Sequence, residues 1–237
     1  MTSEPVDILI PNRNYGKYLD QAIQSCFDQT YKNINVIIVD DNSTDNSREV
    51  LKKYEDRCKI IYVDDNNPNI AKTRNILIEN SSSPYLCFLS SDDYYKHDFI
   101  EKSLNFLVGH PSDEIGGVYG LFSWVDEDGK FLRYFGKPSY RTKEDLHAAC
   151  IRPDCVVTFE TSLFKRSVFT TDQKFDTEVI YGEETHFIAM MTKRFHFLKH
   201  VNNESLSFKR KHVGQGHSRY TSFHRQTLAD KIMGNIT

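Results

Sequence analysis

Tyr85-Leu86-Cys87-Phe88-Leu89-Ser90-Ser91-Asp92-Asp93 is an apolar run of strand length that ends in two adjacent carboxylates. The first basic residue after them is Lys96, so nothing nearby in sequence neutralises the pair. Two such groups side by side repel unless a cation, a proton or a buried donor compensates. Carboxylate oxygens are also the preferred ligands of Mg²⁺ and Mn²⁺. Taken alone, the pair suits a turn and a helix N-cap at least as well, since Asp is favoured there. The surrounding pattern decides between the two. A second acidic pair, Asp40-Asp41, follows the β-branched run Val36-Ile37-Ile38-Val39, and Pro11-Asn12 follows the apolar residues 6–10.

The elements that must position these ends alternate. Residues 6–10, 35–40, 59–63 and 85–89 read as strands, with Pro11 stopping the first. Helical periodicity lies between them: Tyr18, Leu19, Ala22, Ile23, Cys26 and Phe27 mark one helix, with others over 45–56 and 69–80. Strand–helix alternation at this interval predicts βαβ units and a mainly parallel sheet. In such a sheet ligands bind at the carboxyl ends of the strands, so Asn12, Asp40-Asp41 and Asp92-Asp93 are expected to converge. Beyond about residue 111 the pattern changes. Asp126-Glu127-Asp128-Gly129 between two aromatic-rich runs predicts a β-hairpin with a solvated turn. Helices are expected over 141–150, 162–168 and from the Gly182-Glu183-Glu184 region to about 193, a strand over 155–159, and a weak helix over 218–233. This gives a half over residues 1–110 and a mixed half over 111–237.

Composition narrows the function. The chain has 237 residues, of which 39% are hydrophobic and 13% aromatic, enough for a packed core rather than disorder. A net charge of −3 argues against a general nucleic-acid surface. The first residues lack a basic and then apolar leader, and no apolar run reaches the ~18 residues of a membrane span. Five scattered cysteines without a C-x-x-C pair read as reduced thiols of a cytoplasmic protein. There is no G-x-G-x-x-G after the first strand, no G-x-x-x-x-G-K-[ST] and no G-x-S-x-G. What remains is a sheet edge lined with acids and no glycine cradle. It suits a nucleotide diphosphate held through a divalent metal, Mn²⁺ or Mg²⁺.

An ordered series of segments resembles the family 2 glycosyltransferases, which have the GT-A fold. Residues 6–14, Tyr18-Leu19 and residues 25–31 resemble the family's opening strand, loop and helix with its "S-x-x-x-Q-T-Y" end. Residues 36–47 resemble "I-V-V-D-D-G-S-T-D" with Asn42 for the glycine, and 69–75 resemble "N-x-G-x-x-x-A-R-N" without its glycines. Residues 88–93 resemble the metal motif "F-L-D-S-D-D" with Ser90 in place of its first aspartate. Residues 164–169, Gly182-Glu183-Glu184 and 208–215 follow "F-R-R-S-V-F", "G-E-D" and "Y-R-x-H-x-G-Q" more loosely.

The resemblance implies an α/β GT-A domain with a Rossmann-like nucleotide-binding half and a mixed acceptor-binding half. It implies inverting sugar transfer from a nucleotide-diphosphate donor, UDP-linked by preference, to a hydroxyl of a glycan or lipid-linked acceptor. By its motifs Asp41, Arg74, Pro11, Asn12 and Arg13 would bound the nucleotide, with Tyr15 able to replace Arg13 as a stacking group. Asp92 would face the ribose or the metal, Asp93 would ligate the metal, and His212 would complete its shell. Glu184 stands where the family places its general base, usually an aspartate. The substitution leaves a non-catalytic nucleotide-sugar-binding or scaffold domain as the alternative. A sugar nucleotidyltransferase is a weaker one, since residues 11–17 carry a single glycine, Gly16. A lipid-linked acceptor would need peripheral contact with the inner membrane face, and a homo-oligomer is left open.

Overall fold

The structure is a computed structural model; it describes residues 3–136, 138–151, 157–170, 172–200, 204–213, 215, 228, 230–232 and 234. The first half alternates as expected: β1 (Val6–Asn12), α1 (Gly16–Phe27), β2 (Ile34–Asp41), α2 (Ser47–Lys52), β3 (Lys59–Val63), α3 (Ile70–Glu79) and β4 (Tyr85–Phe88). Then come β5 (Tyr94–Tyr95), α4 (Phe99–Val108), β6 (Ile115–Tyr119), β7 (Leu121–Val125), β8 (Phe131–Phe135) and α5 (Lys143–Cys150). A 3-10 turn (Phe159–Thr161), β9 (Leu163–Lys165), α6 (Glu183–Met191), β10 (His196–Lys199) and β11 (Ser205–Arg210) complete the described elements.

Seven strands form one sheet in the order β10-β6-β9-β4-β1-β2-β3, all parallel to their neighbours except β9, which runs antiparallel to β4 and β6. The sheet therefore takes three strands from beyond residue 111 and joins both halves of the chain. Ile8, Leu9, Ile10, Ile38 and Val39 are fully buried, as continuous apolar runs in a sheet covered on both faces should be. Pro11 does not stop β1: it stays in register with Val39, beyond Leu9, the last β1 residue that β4 pairs. The lost N–H falls where one ladder has already ended.

A second sheet, β5-β11-β7-β8, packs beside the first. Its β7–β8 hairpin turns at the expected place. Gly129 takes φ +86, Asp126 N donates to Lys130 O at 2.9 Å, and the Asp126 carboxylate accepts from Asp128 N and Lys130 N.

The later elements depart from expectation. The helix expected over 162–168 is the short strand β9 plus a 3-10 turn, Arg166–Val168. Phe164 is fully buried there, and β9 pairs with Leu86 on one side and Gly117 on the other. Of the strand expected over 155–159, residues 155–156 lie outside the described residues, and the rest runs into the 3-10 turn. Residues 228 and 230–232 are helical within the expected tail helix, and the remainder of that span lies outside the described residues. The four described cysteines, Cys26, Cys58, Cys87 and Cys150, are free and buried. Among the described residues no helix is long and apolar enough to cross a membrane.

Candidate active site

The loops after β1 and β2 are locked to each other. Asn12 Nδ2 donates to Asp40 Oδ1 at 2.7 Å, Ser43 Oγ donates to the same oxygen at 2.6 Å, and Asn14 N donates to Ser43 Oγ at 2.9 Å. Asp40 is fully buried in this clasp, whereas Asp41, 6% exposed, bonds towards α3. Asn42 has φ +52, the left-handed conformation that Asn tolerates better than other side-chain-bearing residues. It thus does the work of the family's glycine. Asp41 Oδ2 accepts from Thr73 Oγ1 on α3 at 3.2 Å. Burial raises the Asp41 carboxyl above its usual range, opposed by the Thr73 bond and the nearby charge of Arg13. Arg13 Nη1 is buried without a partner, a donor set beside this wall.

The second acidic pair divides into two roles. Asp93 is 2% exposed, and its Oδ1 accepts from the backbone N of Arg210 at 2.8 Å, tying the β4 loop to β11. Its Oδ2 is buried without a partner. Burial and the adjacent Asp92 charge push the Asp93 carboxyl well above its usual range, with Lys209 opposing. Asp92 points the other way, its Oδ2 lying 3.1 Å from His212 Nε2. The His212 ring packs on Tyr18 and edge-on to Tyr15, at centroid distances of 4.8 and 5.6 Å. Its Nδ1 is 3.0 Å from Val213 O, so both ring nitrogens face acceptors and the protonated ring satisfies both. The Asp92 bond accordingly raises its pKa, against a smaller lowering by burial. Neither aspartate caps a helix: α4 begins later, behind Asp98.

Asp93, Asp92 and His212, the expected metal donors, do not converge on one point. Among the described residues no three His, Cys, Asp or Glu side chains surround a common position. Asp92 and His212 do meet, offering a carboxylate and an imidazole. That pair fits Mn²⁺ or Mg²⁺ provided that phosphate oxygens and water fill the rest of the shell, as is usual for Mg²⁺. Asp93 gives Oδ1 to the backbone of β11 and keeps its buried Oδ2 without a hydrogen-bond partner.

Glu183 and Glu184 open α6 behind Gly182, which has φ +69 and whose absent Cβ would stand 2.5 Å from Leu228 Cδ2. Arg74 reaches across from α3, donating Nη1 to Glu183 Oε1 and Nη2 to Glu184 Oε1. The guanidinium is 4% exposed and lies 5.6 and 5.5 Å from the ring centroids of Phe159 and Phe175, which fix its position. Burial raises the Glu184 carboxyl to about 7 against the pull of Arg74, and the charges of Glu160 and Glu183 add to the rise. A further buried pair closes this cluster: Lys209 Nζ donates to Glu160 Oε1 at 2.5 Å. Burial alone would raise the Glu160 carboxyl, but Lys209 holds it below its usual value.

The expected residues are linked partly by bonds and partly by charge. Thr73 bonds Asp41 from the helix that carries Arg74, Arg74 holds Glu184, and Asp92 meets His212, while the charge of Arg13 acts on Asp41 and that of Lys209 on both Glu184 and Asp93. The structure puts Arg74 on the two glutamates. Pro11 and Asn12 lie at the buried end of β1. The sequence assigns no role to Glu160, Glu183 or Thr73, for their partners lie 49, 109 and 32 residues away. Glu127 is exposed in the turn, as expected, and its carboxylate also accepts from Lys17 Nζ and Tyr18 Oη, closing the hairpin over α1.

A mixed α/β sheet with this acidic carboxyl edge is that of the GT-A glycosyltransferases. The family model for "Glycosyl transferase family 2" matches residues 7–171, and the chain belongs to that family. Among curated relatives, glycosyltransferase GlyA of Streptococcus pneumoniae is 30% identical over 144 residues, 60% of this chain and 20% of that protein. A putative teichuronic acid biosynthesis glycosyltransferase, TuaG of Bacillus subtilis, is 36% identical over 106 residues, 44% of this chain and 42% of that one. The chain spans between about a fifth and about half the length of such relatives. Among solved structures, S. aureus TarS 1-349 in complex with UDP-GlcNAc superposes with a TM-score of 0.74 at 18% identity, over 96% of this chain and 66% of that one. Mannosyltransferase PcManGT from Pyrobaculum calidifontis, in complex with GDP-Man and Mn²⁺, gives 0.63 at 14% identity, over 91% of this chain and 59% of that one.

Proposed function

We propose that the protein transfers a sugar from a nucleotide-diphosphate donor, UDP-linked by preference, to a hydroxyl of a glycan or lipid-linked acceptor with inversion. The observation that carries this reading is the placement of Glu184: it opens α6, is held by Arg74 from α3, and burial raises its carboxyl to about 7. A general base works best when its pKa is near the working pH. Glu184 takes the acceptor proton as the hydroxyl attacks the sugar from the face opposite the diphosphate. Asp41, Pro11, Asn12 and Arg13 bound the nucleotide, and Arg74 positions the two glutamates. Asp92 and His212, the latter on giving up the proton it shares with Asp92, would hold a divalent cation, which would supply charge neutralisation for the departing diphosphate. Asp93 ties β11 to the site.

The UDP-GlcNAc carried by the TarS neighbour and the GDP-Man and Mn²⁺ carried by PcManGT support a nucleotide-sugar and a divalent cation as ligands. The test is calorimetry with UDP-, GDP-, CDP- and dTDP-sugars, with and without Mn²⁺, followed by donor hydrolysis by wild type and Glu184→Gln. Metal-dependent binding of one donor, with hydrolysis lost in Glu184→Gln, is the expected result. Tight donor binding with neither transfer nor hydrolysis would instead make the protein a binding module.

A further inference from the structure

Among the described residues three of the seven exposed large apolar side chains lie on one strand: Phe131 (49% exposed), Leu132 (47%) and Tyr134 (68%), all on β8. β8 is the edge of its sheet and pairs with β7 alone. The Phe131 and Tyr134 rings meet at a centroid distance of 4.8 Å, which joins two of the three into one apolar patch. Lys130 and Arg133, in and beside the strand, are exposed, as is Arg141 further along the chain. In sequence, residues 130–143 hold five basic side chains and no acid, in a chain whose net charge is −3. Apolar and aromatic groups flanked by basic ones are what an anionic bilayer surface binds.

The strand also begins at the rim of the site. The hairpin turn before it bonds Lys17 and Tyr18 through Glu127, and Glu127 O accepts from Arg210 Nη1 at 2.5 Å. We propose that β8 docks the protein on anionic lipid, with Phe131, Leu132 and Tyr134 in the headgroup boundary and Lys130, Arg133 and Arg141 on lipid phosphates. Other occupants fit less well. Pairing with a second copy across a two-fold axis would gather the Lys130 and Arg133 charges of both copies into one interface. A neutral glycan offers no anionic groups to Lys130, Arg133 and Arg141, whereas lipid phosphates do. Docking brings the mouth of the site to the bilayer, where an acceptor carried on a lipid would meet it. That consequence alone rests on the sugar-transfer reading.

The test is co-sedimentation of the whole chain with phosphatidylcholine vesicles, with and without phosphatidylglycerol, at low and high salt. Wild type is expected to bind the anionic vesicles and to be released by salt. Phe131→Ser with Tyr134→Ser, and separately Lys130→Glu with Arg133→Glu, should each reduce the bound fraction's partition coefficient by roughly tenfold or more. Melting temperature and UDP binding should be unchanged in both. The proposal is overturned if wild type ignores anionic vesicles or if both variants bind as wild type does. It is equally overturned if the substitutions abolish a dimer, or binding to a soluble anionic oligosaccharide, with no vesicle binding by wild type. Failure of wild type to bind UDP would count against the nucleotide reading and leave the vesicle result standing.

Discussion

Arg74 Nη2 donates to Glu184 Oε1 while Nη1 of the same guanidinium donates to Glu183, so one residue of α3 orients both carboxylates that open α6. The planar fork suits this division, since its donors point in fixed directions. Two aromatic rings hold the fork, and Asn75 pins the neighbouring loop by bonding both Phe175 N and Phe175 O at 2.9 Å. The position of Glu184 is therefore set by a helix from the first half of the chain.

If Glu184 is the base, its ionisation should govern the acid limb of kcat. With the carboxyl at about 7, activity is expected to fall below that pH as the base becomes protonated. Glu184→Gln should lower kcat by roughly 10²–10⁴-fold with an unchanged melting temperature. A pH profile of donor turnover for the two proteins checks both parts, and near-normal turnover in the variant removes Glu184 from the mechanism.

Replacing Arg74 should move that limb in a known direction. Arg74 lowers the Glu184 pKa, opposing burial, so Arg74→Gln is expected to raise it and shift the acid limb of kcat above pH 7. UDP affinity, read by calorimetry, should change little if Arg74 acts on the glutamates. A large loss of UDP affinity with an unmoved profile would return Arg74 to the nucleotide wall.

Asp92 and Asp93 should separate cleanly. Asp92→Asn is expected to abolish most of the Mn²⁺-dependent gain in donor affinity while leaving the fold intact. Asp93→Asn can still accept the Arg210 N–H, whereas Asp93→Ala cannot, and should lose about 1–3 kcal/mol of stability. Calorimetry with and without Mn²⁺, paired with urea unfolding, measures the two effects. If Asp93→Asn alone abolishes the metal effect, the division of roles is the reverse.

How much of this could be read from the sequence depended on how local the signal was. β1, β2 and β4 were legible because residues such as Ile8, Val39 and Leu86 lie in runs buried on both sheet faces. The acidic ends were legible for the same reason, since strand polarity places them on one edge. β9 was not, because three residues show no period, and Phe164 is held by partners on β4 and β6. The inward turn of Asp93 depends on a backbone N–H 117 residues away, which no spacing encodes. Arg74 was visible as part of a motif, but its partners on α6 were not.

Lys209 and Glu160 show what such distant pairing costs when it is broken. The two side chains are 14% and 6% exposed and make their bond inside the cluster that also holds Glu184. Lys209→Met leaves a buried carboxylate without its cation, and stability should fall by about 3–5 kcal/mol. Burial favours the neutral acid, but Lys209 overcomes it and keeps the Glu160 pKa depressed. The pair's stabilisation is thus present above the ordinary carboxyl value of 4.5 and is lost as pH falls through the depressed one. Adding Glu160→Gln to Lys209→Met removes the unpaired charge and should restore much of the loss. Urea unfolding of the two single variants and the double variant, followed across acid pH, tests this coupling. Additive effects in that cycle would mean that the pair contributes nothing as a pair.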